Sequence, residues 1–554
     1  MRVNGAAPTR TLVFALALVA IATGVAGRMT GLDHKIFWQD EAFSMLRITG
    51  HDEPDLYGLF DGRVHPSAEL LAIDRLDPQR GFGATLASLR EEPQRGPLFY
   101  LAARLWADAF GDGVTAMRVL PALLGWAGIA LAFFLGRRVA GGTVGGTIFA
   151  ALVAIAPIEL HLSQQVREYV AVTDAILASS WLLLRAFERP TVVRWIAYAT
   201  GVVVGLFTSP IFIAVVGAHG AVAAVAWRRD GRRAAAAWLA ATVVAAAIFA
   251  PWLAQSFVDA RAHAGDLAWL QGAYPARSFA LKWAFNIGAV FFDAEFADVR
   301  LGVVIVPILV LVAVAVVDAM FPRKSGDAPA AGAEERERML ALALAVCSVV
   351  PLVLVDALRH AHFESVTRYQ TATWIGIDLL VARALARAVA APAFRLRACA
   401  CGALFFLAAC GTFCAVFDRS YAVWWDDNEH LDERLVGRVL AAGRTPALVA
   451  ASKSAGAAPY ALVLARYVPA GTLLLLYDVD LPPIAPRAGD TYLFVPRPEV
   501  LTALRKRIAP AHEVRNVSPP LGLILPDLRS PADPTATNEI RAENALWKLV
   551  DANR

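Results

Sequence analysis

Long apolar runs recur along the chain, and nothing else in it limits the fold as strongly. They lie near 11–27, 117–136, 143–162, 169–187, 193–209, 211–227, 235–254, 300–320, 339–357, 371–388 and 398–417. Crossing about 30 Å of hydrocarbon takes roughly 20 helical residues, so these runs predict about eleven transmembrane helices. Composition agrees, with 57% of the 554 residues hydrophobic and 18% charged, where a soluble chain carries about 25% charged residues. The first run follows Arg2 and Arg10 and ends in the small residues GVAG. A cleaved signal peptide shares that pattern, and is the competing reading of this one segment.

The net charge of +4 says less than where the charges lie. With the N-terminus in the cytoplasm, the inner connections receive the GRR of 136–138, Arg185 with Arg189 and Arg194, RRDGRR at 228–233, Arg323 with Lys324, and FRLR at 394–397. That alternation is what the positive-inside rule requires. The outer side then holds 28–116, 159–168, 255–299, 358–370 and everything after 418. Two outer segments, 95–110 and 277–292, have the aromatic, amphipathic character of interfacial helices; the second is alternatively one more span. The five cysteines all sit in apolar runs, as small packing residues do.

Residues 1–417 are thus expected to form a transmembrane domain with a long first outer loop, 28–116. Residues 418–554 read as a small extracytoplasmic α/β domain. Strand-like runs at 445–451, 472–478, 491–496 and 521–526 alternate there with helical patterns at 458–467 and 498–508. Asp478 and Asp480 read as loop residues. With no catalytic cluster of its own, the tail is expected to serve acceptor choice and not transfer chemistry. The inner linker 321–338 reads as a flexible connector running into a charged helix start.

Three polar groups stand beside spans on the outer face, where charge is costly and points to function. They are FWQDEAFS at 37–44 with Asp40 and Glu41, HLSQQVREYV at 161–170, and LRHAHFESVTRYQ at 358–370. His360 and His362 in the last group lack a clear third ligand and are weak evidence for a metal. His219, Asp174, Asp356 and Asp378, in or at the ends of spans, read as helix–helix or carbonyl partners.

The order WQDEAFS, GPLFYLAARLWADAFGDGVTAMRVLPAL at 96–123, GRRVAGG at 136–142, APIELHLSQQVREYV at 156–170, GLFTSP at 205–210 and TRYQ at 367–370 resembles the bacterial family 39 glycosyltransferases. These are similar to protein mannosyltransferases and the aminoarabinose transferase of lipid A, within the GT-C superfamily. The resemblance implies a GT-C-type fold and transfer of a sugar from a polyprenyl phosphate donor to a glycan, lipid or protein acceptor. The reaction would take place on the outer face of the bacterial cytoplasmic membrane, with no nucleic-acid partner.

It carries the family's acidic pair onto Asp40 and Glu41, with Asp40 as general base. Its RxY and RY elements fall on Arg167 with Tyr169 and on Arg368 with Tyr369, as holders of the donor phosphate. Arg suits that task because its planar fork bonds two phosphate oxygens and stays charged. This chain departs from the pattern at Gln165, where relatives carry an acid, which leaves Glu168 or Glu159 as a possible second carboxylate. It departs again at Arg95-Gly96-Pro97, where relatives carry His-Pro-Pro. The use of a divalent metal differs within the superfamily and is left open here. Two other classes compete: a transporter or flippase of a lipid-linked sugar, and a GT-C fold that binds without catalysing.

Overall fold

A computed structural model describes residues 6–92, 95–260, 276–293, 299–321, 328–359, 363, 366–420, 422, 433–453, 457–484, 489–508, 511–518 and 545–551. Contacts group the chain into two compact units. One comprises 1–32, 92–99 and 118–418; the other comprises 33–91, 100–117 and 419–554. The expected division at 417/418 therefore differs from the way contacts group, because most of residues 28–116 groups with the C-terminal part.

The first unit is a bundle of helices. Among the described residues, eight are long and apolar enough to cross a membrane: 8–29, 114–139, 169–188, 210–230, 232–255, 302–320, 331–359 and 394–419. The chain is a multi-pass membrane protein. Gly142–Ile155 and Val192–Thr208 are apolar but shorter, with 14 and 17 residues. Thr371–Ala390 has 20 residues and carries Asp378, Arg383 and Arg387. The segment at 277–292 forms the helix Ala276–Gly288, whose 13 residues reach only about 20 Å at 1.5 Å per residue, too little for a span.

One expected run is broken. Instead of continuing to 162, its helix stops at Ile155 and a separate short helix, Pro157–Leu162, follows. Proline has no N–H to donate to the carbonyl four residues back, so the carbonyl of Val153 must find another partner. The charged helix start expected within 321–338 is present. A helix runs from Ala328 to Cys347, and its acidic start is tied to neighbouring helices. Glu334 pairs with Arg383 at 2.7 Å, Glu335 with Arg229 at 2.7 Å, and Glu337 with Arg138 at 3.8 Å.

With lipid as apolar as leucine, helices associate by close packing. Gly24 lies against the helix Gly142–Ile155 so closely that a Cβ there would be 2.1 Å from the Ala154 carbonyl oxygen. Gly376 lies equally close to the helix Ala328–Cys347, where a Cβ would meet the Ala345 nitrogen at 2.2 Å.

The second unit is built on a six-stranded sheet. Its strands are β1 (Val64–Pro66), β2 (Leu448–Ser452), β3 (Leu473–Tyr477), β4 (Thr491–Phe494), β5 (His512–Asn516) and β6 (Leu546–Asp551), in the order β1-β3-β2-β4-β6-β5. β3, β2 and β4 are parallel, with Leu448 opposite both Leu473 and Thr491. Their apolar runs are almost wholly buried, as the two-sided burial of a parallel sheet demands. The expected helices appear as Ala457–Ala465 and Pro498–Ile508; the latter buries Val500, Leu501 and Leu504 against Leu448, Leu475 and Leu493. The expected strand at 521–526 lies outside the described residues. β1 comes from the segment after the first helix and pairs antiparallel with β3, Val64 opposite Leu475.

Asp490 joins three parts of this unit. Its carboxylate, almost fully buried, accepts from the Arg444 backbone N–H at 2.8 Å, from Arg444 Nε at 3.0 Å and from Lys548 Nζ at 2.6 Å. Burial alone would raise its pKa, but hydrogen bonds from Lys548 and Arg444 outweigh that and hold it at about 2.

Two outcomes follow. Gly24→Val should force apart two helices in backbone contact and lower the thermal midpoint of the purified protein, a loss of about 1–3 kcal/mol or more; an unchanged midpoint would contradict the close approach. Because the folded pKa of Asp490 lies below its unfolded value of about 3.9, its stabilising contribution is present above that value and is lost as pH falls through about 2. The stability gap between wild type and Asp490→Asn should therefore shrink on acidification from pH 5 toward 2, as read by denaturant midpoints.

Candidate active site

The acid pair opens a helix. Gln39–Thr49 starts after Trp38, which has extended backbone, and so Asp40 and Glu41 fall in its first turn, where unpaired N–H groups and the helix dipole favour negative charge. The two side chains diverge by about 100°, the rotation per residue of an α-helix. Glu41 is fully buried, and its Oε2 accepts from the Trp38 N–H at 3.4 Å, closing the helix start on itself. Asp40 is half-buried. At the other end Gly50, at φ 84°, lets the chain turn while the N–H of His51 reaches the Leu46 carbonyl at 2.9 Å.

In the helical unit the break at Pro157 is filled by Arg28, a residue that sequence reasoning missed. Its guanidinium, 1% exposed, donates to the carbonyls of Val153 at 3.0 Å and Ala154 at 2.6 Å, and its Nε donates to Ser163 Oγ at 3.1 Å. The one available signal was an arginine directly after a span, with a proline inside a later run. Clamped in this way, the chain turns through Ser163–Glu168 and starts a new helix at Tyr169.

That turn presents Arg167, which is buried and whose NH2 donates to Tyr169 Oη at 3.3 Å. The Arg167 guanidinium lies 5.4 Å from the Tyr169 ring centroid, and Arg368 lies 5.9 Å from the same ring and 5.9 Å from that of Tyr369. All four residues expected to hold a phosphate are thus brought together. Both guanidiniums are within cation–π range of one ring. Beside them opens a narrow pocket whose wall is apolar, from Val172, Ile176, Phe212 and Val215, with Tyr169 and Arg368 also lining it.

The other expected residues divide. Glu168 is buried and pairs with Arg167 at 3.6 Å. Glu159 is buried and accepts from Thr173 Oγ1 at 3.1 Å. Gln165 contacts His161 Nε2 through its Nε2 at 2.7 Å. His219 is bonded to Ser180 Oγ and to Tyr198 Oη, each at 3.1 Å, and Trp238 Nε1 donates to the same Tyr198 oxygen at 3.0 Å. It is a helix-packing residue. Asp356 accepts from the Phe363 N–H at 2.9 Å. His360 and His362 lie outside the described residues. Among the described residues no group of three His, Cys, Asp or Glu side chains is placed to hold a metal ion.

Residues 93–254 match the family model of dolichyl-phosphate-mannose-protein mannosyltransferases. Among solved structures, the chain is similar to ArnT from Cupriavidus metallidurans, solved bound to undecaprenyl phosphate, with a TM-score of 0.52 at 11% identity, covering 97% of each chain. The chain has the GT-C fold. A further match is the archaeal oligosaccharyltransferase AglB from Archaeoglobus fulgidus, solved with an inhibitory peptide and a dolichol phosphate. Its TM-score is 0.45 at 13% identity over 76% of this chain, which spans 57% of AglB. No curated protein matches the sequence significantly.

In this GT-C chain the two acids have unequal surroundings, and a pair of substitutions separates them. Glu41→Gln retains an oxygen that accepts from the Trp38 N–H, so stability should change by less than about 0.5 kcal/mol. Glu41→Ala removes the cap and should cost about 1 kcal/mol or more. Equal thermal midpoints for the two variants would remove Glu41 from the helix start.

Proposed function

We propose that this protein is a membrane glycosyltransferase that moves a sugar from a polyprenyl phosphate donor to a glycan, lipid or protein acceptor on the outer face of the bacterial cytoplasmic membrane. The observation that carries the reading is the convergence of Arg167 and Arg368 on Tyr169 beside an apolar-walled pocket. Two fixed guanidiniums next to an apolar slot suit a ligand with an anionic phosphate and a hydrocarbon tail. The GT-C fold supports it, and so does the undecaprenyl phosphate bound by ArnT. The basic connections of the sequence support a cytoplasmic N-terminus.

In this mechanism an acceptor hydroxyl attacks the anomeric carbon of the donor sugar. As the new C–O bond forms, the bond from that carbon to the phosphate oxygen breaks, and the phosphate leaves with the electron pair. Asp40 takes the hydroxyl proton, raising the nucleophilicity of the attacking oxygen. Arg167 and Arg368 neutralise the charge that grows on the leaving phosphate, with Tyr169 and Tyr369 holding their guanidiniums in place. Glu41 holds the helix that carries Asp40.

The test is incubation of the purified protein with a panel of polyprenyl phosphate sugars and an acceptor extract, scoring release of polyprenyl phosphate. Asp40→Asn should lower turnover by about 10² to 10⁴, the usual share of general-base catalysis, while donor binding persists. Arg167→Lys and Arg368→Lys keep charge but lose the fork, and should weaken donor binding. Near-normal turnover by Asp40→Asn would remove the acid helix from the chemistry, and unchanged donor affinity in both lysine variants would make these arginines interface anchors.

A further inference from the structure

The segment leading to Asp40 is bound all along its length by residues from the C-terminal part of the chain, within the second unit. The His34 carbonyl accepts from Arg434 NH1 at 2.6 Å, the Ile36 N–H donates to the Ala422 carbonyl at 2.7 Å, and the Phe37 N–H donates to Tyr467 Oη at 3.1 Å. Arg466 makes the central contact. Its guanidinium lies 4.3 Å from the centroid of the Phe37 ring, its Nε donates to Asp74 Oδ2 at 2.7 Å, and its NH2 reaches the Asp74 carbonyl at 3.4 Å.

All three partners are buried, Asp74 completely, with Phe37 1% and the Arg466 side chain 5% exposed. The far end of the acid helix returns to the same place, because Thr49 Oγ1 donates to the carbonyl of Ile73, next to Asp74, at 2.9 Å. A cation that stacks with its flat face while its edge bonds a carboxylate is a task for arginine; lysine offers neither the plane nor the fork.

We propose that Arg466 is a positioning residue for Asp40, clamping Phe37 against Asp74 and so fixing the start of the helix that carries the acid. This rests on Asp40 being the general base. Phe37 is only three residues before Asp40, and catalysis that depends on a near-attack geometry can lose about 100-fold for a displacement of 1 Å. On this proposal the C-terminal part of the chain takes part in the transfer chemistry through the acid's position, in addition to the acceptor choice expected of it.

The experiment uses the full-length protein and two readouts. Hydrogen exchange of the amides in 35–46 should quicken at least tenfold in Arg466→Met, with β2, β3 and β4 exchanging as in wild type, which reports that the unit is still folded. Phe37→Leu, which keeps an apolar side chain but removes the ring, should do the same, and Arg466→Lys should recover part of the protection. With undecaprenyl phosphate sugars as substrates, Arg466→Met should lower kcat 10- to 100-fold at unchanged donor KM, and should cost nothing further in an Asp40→Asn background. Exchange within twofold of wild type in 35–46, or an equal loss of kcat with and without Asp40, would overturn the assignment. Full turnover by Asp40→Asn alone would instead refute the base, while the exchange result still reports what holds the helix.

Discussion

Hydrocarbon offers a backbone no hydrogen bonds, so a helix that stops inside or beside a membrane must have its last carbonyls met by the protein itself. Here that requirement falls on one side chain. Pro157 withholds the N–H that Val153 would have received, and Arg28 supplies donors to Val153 and Ala154 together. With the carbonyls satisfied, the chain can change direction, and the new direction sets Arg167 and Tyr169 at the head of the next helix. The buried charge of Arg28 is tolerable because its nitrogens find polar partners. Packing, break and the turn that carries Arg167 therefore share one origin.

Much of this was legible in the sequence, for identifiable reasons. Length and apolarity mark helices in lipid without help from tertiary context, and β2, β3 and β4 are visible as apolar runs because both of their faces are buried. β1 and β5 were not legible. The first is only the three residues VHP, and HEVRN buries a single side chain, so neither carries a period to be read. The break at Pro157 was hidden by the hydrophobicity of its flanks. Arg167, Tyr169, Arg368 and Tyr369 were found through family resemblance, since no local pattern joins residues so far apart. Arg466 and Asp74 gave no signal at all: an arginine at a helix end and an aspartate in a polar loop are ordinary until the fold brings them together.

The acid pair illustrates how position assigns unequal tasks to adjacent identical charges. Two carboxylates in the first turn of a helix cannot face one direction, and the one that reaches back to its own backbone is taken out of circulation. Glu41 closes the start of its own helix, and Asp40, half-buried, leaves the helix in another direction.

The strand pairing between β1 and β3 has a consequence for biosynthesis. Residues 64–66 leave the ribosome early, yet their partner, 473–477, is made only after all the apolar helices of the first unit. Pairing over such a sequence distance is slow and cannot begin during translation of the spans. The segment with Asp40 waits in an unfinished state until the last part of the chain arrives to complete its sheet. A nascent or prematurely terminated chain, even one fully inserted in the bilayer, therefore lacks the partner that β1 needs to complete the sheet.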